Sequence, residues 1–149
     1  MPAQSEMVLA KCTATAAAED PNYRQSLRCG RHEMLADERP VRGGADAGPM
    51  PFEYLLAGLS ACTSITLRMY AERKGWNIGA VAVSVALHQS KEGARSIERR
   101  VKLSAPLTVE QQAKLSDICE KTPVTLVVKS GIGLRTTLAS EDSAAPTPR

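Results

Sequence analysis

Residues 48–76 of the chain read GPMPFEYLLAGLSACTSITLRMYAERKGW. Pro51 suits the first position of a helix, where a backbone N–H is not needed, and Glu53 falls in the first turn, where an anion meets the positive end of the helix dipole. Gly75 follows two basic residues and ends the pattern. We predict one helix from Pro51 to Lys74, which at ~1.5 Å per residue is roughly 35 Å long. The rest of the fold must be arranged around it.

The interior of this helix carries no charge from Leu55 to Leu67 and is apolar or small nearly all round. Such a helix is buried. The uncharged run is interrupted by hydroxyl side chains and is shorter than the ~20 residues that a membrane span needs. We therefore expect a core helix with Cys62 buried at its middle. One stripe is predicted to comprise Leu55, Leu59, Cys62, Thr66 and Met69.

The bulk composition fits a single globular domain. The chain has 149 residues, 43% hydrophobic and 23% charged, and we assign residues 1–139 to one domain and the polar tail 140–149 to disorder. A net charge of +3 and 3% aromatic residues do not favour a nucleic-acid binder. The N-terminus lacks the features of a secretory signal, so we expect a cytoplasmic protein without a membrane segment.

Residue patterns predict the remaining elements. Met7–Thr15 and two short segments within Arg24–Ala36, separated at Gly30, favour an antiparallel meander. Pro40–Pro51 is predicted to be an irregular loop. Strict alternation then predicts a hairpin, in which Val81 to His88 pairs with a return strand. The face of that return strand predicted to be apolar comprises Ile97, Arg99, Val101 and Leu103.

The C-terminal part is predicted to be two helical segments and a strand. Thr108 and Gln111 form a capping-box pattern that starts a helix running to about Glu120. Pro123 opens a second, short helix with Thr122 as its cap. Ile132 to Leu138 is predicted to be a last strand. Strands, long helix, hairpin, helix and strand together indicate an α+β fold.

The four cysteines do not indicate a metal site or a disulfide scaffold, because no CxxC spacing occurs in a chain expected to be cytosolic. Cys12 and Cys29 are interpreted as structural residues of the N-terminal strands. The two histidines, His32 and His88, lie far apart in sequence. We therefore expect neither a metal nor a cofactor. The residue type of Cys62, taken alone, favours an inert packing role.

A family resemblance favours a reactive role for Cys62. Residues 43–63, together with Ile65–Trp76, Ile97–Arg99 and Glu120–Val124, resemble the signature of the OsmC/Ohr family of thiol-dependent hydroperoxide reductases. The resemblance spans roughly residues 31 to 138. It implies an OsmC-like fold, with antiparallel sheets packed around a long central helix, and an intertwined homodimer with active sites at the subunit boundary. The all-round apolar helix independently favours a partner chain, since 149 residues offer little cover for it.

The resemblance also implies the site residues. Cys62 is the reactive thiol, and Arg42, twenty residues before it, matches the arginine that keeps the thiolate ionised. The family glutamate ten residues before the cysteine is here Phe52, whereas Glu53 is nine before it. That offset rotates the side chain by ~100°. Glu53 could instead pair locally or with Arg39, or simply complement the helix dipole.

A second departure concerns the resolving cysteine, the second thiol that the resemblance implies and that reacts with the oxidised Cys62. Its place is taken by Thr122. Threonine cannot react with a sulfenic acid, so either an external thiol or Cys119, one turn earlier, would have to do so. Three hypotheses follow. The chain is a one-cysteine hydroperoxide reductase, a stress-response or ligand-binding protein without peroxidase activity, or a hydrolase-like enzyme that uses His32 or His88 as a base.

Overall fold

The computed structural model describes residues 6–140, which form an α+β fold. Most of the tail that we predicted to be disordered lies outside the described residues. The elements in chain order are β1 (Cys12–Thr15), β2 (Gln25–Cys29), β3 (His32–Ala36), a 3-10 turn (Pro40–Arg42), α1 (Pro51–Lys74), β4 (Val81–Gln89), β5 (Arg95–Leu103), α2 (Val109–Cys119) and α3 (Pro123–Ser130). The predicted order is confirmed up to α3.

The strands form two antiparallel sheets. β1, β2 and β3 form one sheet in that order, and β4 pairs with β5 in a second, two-stranded sheet. In the hairpin, Val81 lies opposite Leu103 and Val85 lies opposite Arg99. The inward face therefore carries the alternating apolar residues that the sequence predicted, with Arg99 among them.

The bounds of α1 agree with the prediction, and Gly75 caps it in the left-handed conformation at φ 66°. Its buried stripe differs from the prediction. The side chains that face the core are Leu59, Thr63, Leu67 and Ala71. Leu55 and Met69, expected inside, are 47% and 52% exposed. A helix apolar on every face cannot be covered on every face by one chain of this size.

The core is small and lies between α1, α2 and the hairpin. Its buried members are Leu67, Ala71, Ile78, Leu115 and Cys119. Partly buried side chains of the hairpin and of Tyr70 and Trp76 pack against it. The capping box of α2 is confirmed, because the Thr108 hydroxyl accepts from the Gln111 N–H at 3.1 Å and the Gln111 side chain accepts from the Thr108 N–H at 3.0 Å.

The predicted strand from Ile132 to Leu138 is wrong for the described chain, where residues 131–140 form no helix or strand. Ile132, Leu134 and Leu138 are 78%, 91% and 98% exposed. Strand formation needs a neighbouring edge to bond to, and this segment pairs with neither sheet. The 3-10 turn at Pro40–Arg42 is a smaller correction to the predicted irregular loop.

A disulfide joins Cys12 to Cys29, so our inference from the sequence that the cysteines do not indicate a disulfide is wrong for this pair. The two residues lie directly opposite each other on β1 and β2, with Cα atoms 4.2 Å apart. Strand register, rather than sequence spacing, brings them together. Among the described residues, no helix has the length and hydropathy required to cross a lipid bilayer.

Candidate active site

Cys62 lies at the middle of α1 as a free thiol. The prediction that it is sealed in the core is not met in the described chain, where Cys62 is only partly buried. The next residue, Thr63, is completely buried. Since consecutive helical residues are rotated by ~100°, Thr63 faces the core and Cys62 lies at the margin of the buried stripe. A peroxide can therefore reach this sulfur more easily than it could reach the core.

Arg99 holds the buried side of α1 through Thr63. One guanidinium nitrogen donates to the Thr63 hydroxyl at 3.0 Å and to the Thr125 hydroxyl at 2.7 Å. The other donates to the Cys119 carbonyl at 2.7 Å and to the Glu120 carboxylate at 3.4 Å. The side chain is only 12% exposed. One arginine of β5 thus ties α1 to the junction between α2 and α3.

This network satisfies the polar groups that it buries. Thr63 donates its hydroxyl proton to the Leu59 carbonyl at 2.8 Å and accepts from Arg99. Thr125 shares a hydrogen bond of 2.6 Å with Thr122. A buried guanidinium is costly unless its donors are occupied, and Arg is suited to the role because it stays charged. The network therefore places a permanent positive charge beside the residue that adjoins Cys62.

Thr122, at the position where the family resemblance implies a resolving cysteine, is completely buried. It is the N-cap residue of α3, as predicted, but its hydroxyl does not cap the helix and instead bonds Thr125. The Thr122 hydroxyl is part of the Arg99 network through Thr125. Within the chain, this position contributes a hydrogen bond and no redox chemistry.

Cys119 is buried at the C-terminal end of α2 and is also a free thiol. Burial raises the pKa of the Cys119 thiol, and the nearby Arg99 only partly opposes this effect. Its carbonyl accepts from Arg99 and, at 3.3 Å, from the Thr125 hydroxyl. Cys119 could substitute for the resolving thiol only if this helix end frayed, and these bonds pin that end.

Glu53 pairs with Arg39 at 2.6 Å, which was one of the two pairings that the sequence left open. Its other carboxylate oxygen accepts from the Met50 N–H at 2.9 Å, so Glu53 also complements the helix start. The Met50 N–H and then Arg39 hold the pKa of Glu53 below its usual range. Nine residues separate Glu53 from Cys62, about 13 Å along the axis. In a single chain the pair does not reach the thiol.

Arg42, the predicted partner of Cys62, lies in the 3-10 turn with its side chain exposed. Among residues 6–140, its guanidinium forms no ion pair or hydrogen bond, and Cys62 forms none with Arg42, His32 or His88. His88 instead lies 3.4 Å from Glu98 on the exposed face of the hairpin. No hydrogen bond therefore joins Arg42 to Cys62 within the described part of one chain, and their pairing stays a prediction.

A concavity of about 440 Å³ opens beside the Arg99 network. Its walls combine apolar and charged side chains, among them Leu59, Leu87, Ile97, Arg95 and Lys129. Cys62 does not line this concavity. Lys129 also pairs with Glu120, and the pKa of Glu120 is lowered chiefly by this Lys129 contact. Elsewhere in the described part of the chain, no three His, Cys, Asp or Glu side chains are grouped as metal ligands.

The long helix, the two sheets and the cysteine at mid-helix can be compared with known proteins. The sequence profile of a family described as OsmC-like protein matches residues 43–137, more than half of the chain. The chain belongs to the OsmC-like protein family. No match to a curated protein sequence is found.

Solved structures share this OsmC-like fold at low sequence identity. An OsmC-like protein from Mycoplasma pneumoniae is 17% identical over 86% of this chain and 91% of its own, with a TM-score of 0.68. An organic hydroperoxide resistance protein OsmC from Legionella pneumophila is 14% identical over 84% and 92%, with a TM-score of 0.61. An organic hydroperoxide resistance protein from Elizabethkingia anophelis is 18% identical over 86% and 93%, with a TM-score of 0.61.

Sequence reasoning missed the network residues Arg99, Thr63 and Thr125 in this OsmC-like chain. A signal for Arg99 was present, because the strand pattern placed a charged residue on the apolar face of β5. A charge at such a position is rarely tolerated without partners. The two threonines gave no comparable signal, since hydroxyl residues are common in helices that pack within a core.

Proposed function

We propose that the protein is a one-cysteine redox protein that reduces organic hydroperoxides through Cys62. Membership of the OsmC-like family and fold neighbours described as organic hydroperoxide resistance proteins support a role in the response to oxidative stress. The observation that carries the proposal is the position of Cys62, a free and partly exposed thiol next to the threonine that binds Arg99. Cytoplasmic localisation is part of this proposal.

The proposed reaction begins with the Cys62 thiolate, because the thiolate is the nucleophile. Its sulfur attacks the terminal oxygen of the hydroperoxide, the O–O bond breaks, and the alkoxide takes a proton and leaves as an alcohol. Cys62 is then a sulfenic acid. A positive charge favours both the thiolate and the departing oxygen. We assign this charge to Arg42 contributed by a second copy of the chain, and to the longer-range field of Arg99.

The second half of the cycle needs an external thiol. One thiol condenses with the sulfenic acid, which releases water and forms a mixed disulfide, and a second thiol then releases Cys62 and forms the external disulfide. An internal resolving step is disfavoured, because Thr122 has no thiol and Cys119 is buried with a raised pKa. The same two features favour the second candidate, a stress-response protein that binds a ligand or senses peroxide without turnover.

We also propose that the protein is a homodimer. In a single chain α1 exposes Leu55, Ile65 and Met69, each by about half of its surface. The segment from Ile132 to Leu138 exposes Ile132, Leu134 and Leu138 and pairs with neither sheet. A second copy could cover the helix and supply a pairing edge. It would also offer Arg42 a route to the Cys62 of its partner. A solution mass near 16.0 kDa, that of one chain, would contradict this proposal.

The test of the redox proposal is a stoichiometric reaction with cumene hydroperoxide, followed by intact mass. We expect one added oxygen on the reduced protein, none on Cys62→Ser, and unchanged addition on Cys119→Ser. Turnover with an added dithiol should depend on Cys62 alone. Addition of oxygen without turnover would favour the sensor, and no addition to Cys62 would refute the peroxidase.

A further inference from the structure

The N-terminal sheet brings two cysteines and a histidine into one row. Cys12 on β1 lies directly opposite Cys29 on β2, and Cys29 lies directly opposite His32 on β3. Residues directly opposite each other in antiparallel strands share a face, with Cβ atoms roughly 4.5–5.5 Å apart. The imidazole of His32 is therefore the neighbour of the Cys29 sulfur on the side away from the disulfide.

The row is accessible. Cys12 and His32 are exposed and Cys29 is partly buried, and every residue of β1 is exposed. The next row on the same face consists of Ala14, Leu27 and Met34. The charged pair Arg28 and Glu33 lies on the other face. On this face of the three strands, His32 is thus the titratable side chain that adjoins the sulfur atoms.

We propose that Cys12, Cys29 and His32 form a thiol–disulfide exchange site for low-molecular-weight thiols, separate from Cys62. Cys12 lies on the exposed edge strand, so an external thiolate attacks its sulfur and forms a mixed disulfide there. The bond to Cys29 breaks, and protonated His32 gives its proton to the departing Cys29 thiolate. A second external thiolate then releases Cys12. Two external thiols become one disulfide, and the protein gains two thiols.

The reverse reaction closes the bridge. The Cys12 thiolate attacks an external disulfide such as oxidised glutathione, forms a mixed disulfide and releases one thiol. Neutral His32 then accepts the Cys29 proton, and the Cys29 thiolate attacks the Cys12 sulfur, displaces the bound thiol and restores the bridge. A base beside a thiol accelerates this step because the thiolate is the attacking species. The bridge would thereby report the thiol–disulfide balance of the surroundings, and its opening would leave β1 attached by hydrogen bonds alone.

The test measures exchange in the folded wild-type chain with mixtures of reduced and oxidised glutathione. Thiols are blocked at timed points with light and heavy alkylating reagents, and peptide mass spectrometry assigns each cysteine. We expect Cys12 and Cys29 to open and close reversibly as the ratio changes. His32→Ala should slow both directions about tenfold or more near neutral pH. His88→Ala, which removes another exposed histidine, should match the wild type.

Three results would overturn the proposal. The bridge could stay closed to glutathione until urea unfolds the protein, the two cysteines could remain thiols in fully oxidised glutathione, or His32→Ala could exchange as fast as His88→Ala. A Cys62→Ser chain should give the wild-type result. Loss of peroxide chemistry at Cys62 therefore has no bearing on this test, and a failure of this test leaves the redox proposal for Cys62 intact.

Discussion

Replacement of Arg99 by alanine is the most direct test of the network that joins α1 to the helix junction. The side chain is 12% exposed and donates at 2.7–3.0 Å to Thr63, Thr125 and the Cys119 carbonyl. A hydrogen bond that involves a charged group contributes about 1.5–3 kcal/mol. The sum over the three hydrogen bonds overstates the loss of stability, because Thr63 keeps its bond to Leu59 and burial of the guanidinium has its own cost.

We therefore expect Arg99→Ala to lower the free energy of unfolding by about 3 kcal/mol, which is less than the sum over its three short hydrogen bonds. The neighbouring residue provides a matched control. Arg100 lies on the opposite face of β5, is 70% exposed and pairs with Glu98. Arg100→Ala should change stability by no more than about 0.5 kcal/mol. Arg99→Lys keeps the charge without the guanidinium fork and should fall between the two.

The assay is urea unfolding followed by circular dichroism at one fixed protein concentration, since association would make stability concentration-dependent. With a slope of about 2 kcal/mol per molar urea, the midpoint of Arg99→Ala should fall by roughly 1.5 M. A double-mutant cycle with Thr125→Val should give a coupling of at least about 0.5 kcal/mol. A loss below about 1 kcal/mol, or a loss equal to that of Arg100→Ala, would refute the assigned role.

Three further predictions concern other parts of the molecule. Backbone N–H groups of the following loop, that of residue 47 foremost, lower the pKa of buried Asp37 below its usual 3.8. The ionised carboxylate therefore stabilises the fold fully above pH 3.8, and this contribution is lost as the pH falls through the lowered pKa. Asp37→Asn should show a flatter dependence of Tm on pH in this acid range. Cys12→Ser removes a bridge that spans 17 residues and should lower stability by about 3 kcal/mol, a difference that disappears once a reductant opens the wild-type bridge to Cys29. A thiol reagent should modify partly exposed Cys62 well before Cys119 in the native protein, because burial raises the pKa of the Cys119 thiol; equal rates would contradict this order.

Local signals in the sequence were sufficient for most of the fold. The proline at position 51 and the glycine at position 75 mark the ends of α1, and the alternation from Val81 onward predicts the hairpin and its inward face. These features depend on neighbouring residues and need no knowledge of tertiary contacts. The predicted strand after Ile132 failed for the complementary reason, because a strand is completed by a partner edge that its own residues cannot specify.

The site was less predictable because it depends on tertiary pairing. The disulfide between Cys12 and Cys29 follows from the register of two strands, and a shift of one residue would separate the sulfur atoms. The pairing of Glu53 with Arg39 depends on the path of the loop before α1, which carries the arginine back to the helix start. Arg99 could have been suspected from its place in an apolar alternation, but its four acceptors come from three other elements.

The Arg99 network also bears on why one cysteine suffices for the proposed chemistry. Its guanidinium bridges Thr63, which follows Cys62 on α1, and the backbone of Cys119 on α2. A disulfide between Cys62 and Cys119 would have to form around this buried cation, whose donors are satisfied. Rearrangement of the residues that it anchors must break hydrogen bonds to a buried charge, which is costly. The network that fixes the position of α1 thus disfavours an internal resolving step, and it leaves the partly exposed side of Cys62 as the route by which an external thiol would act.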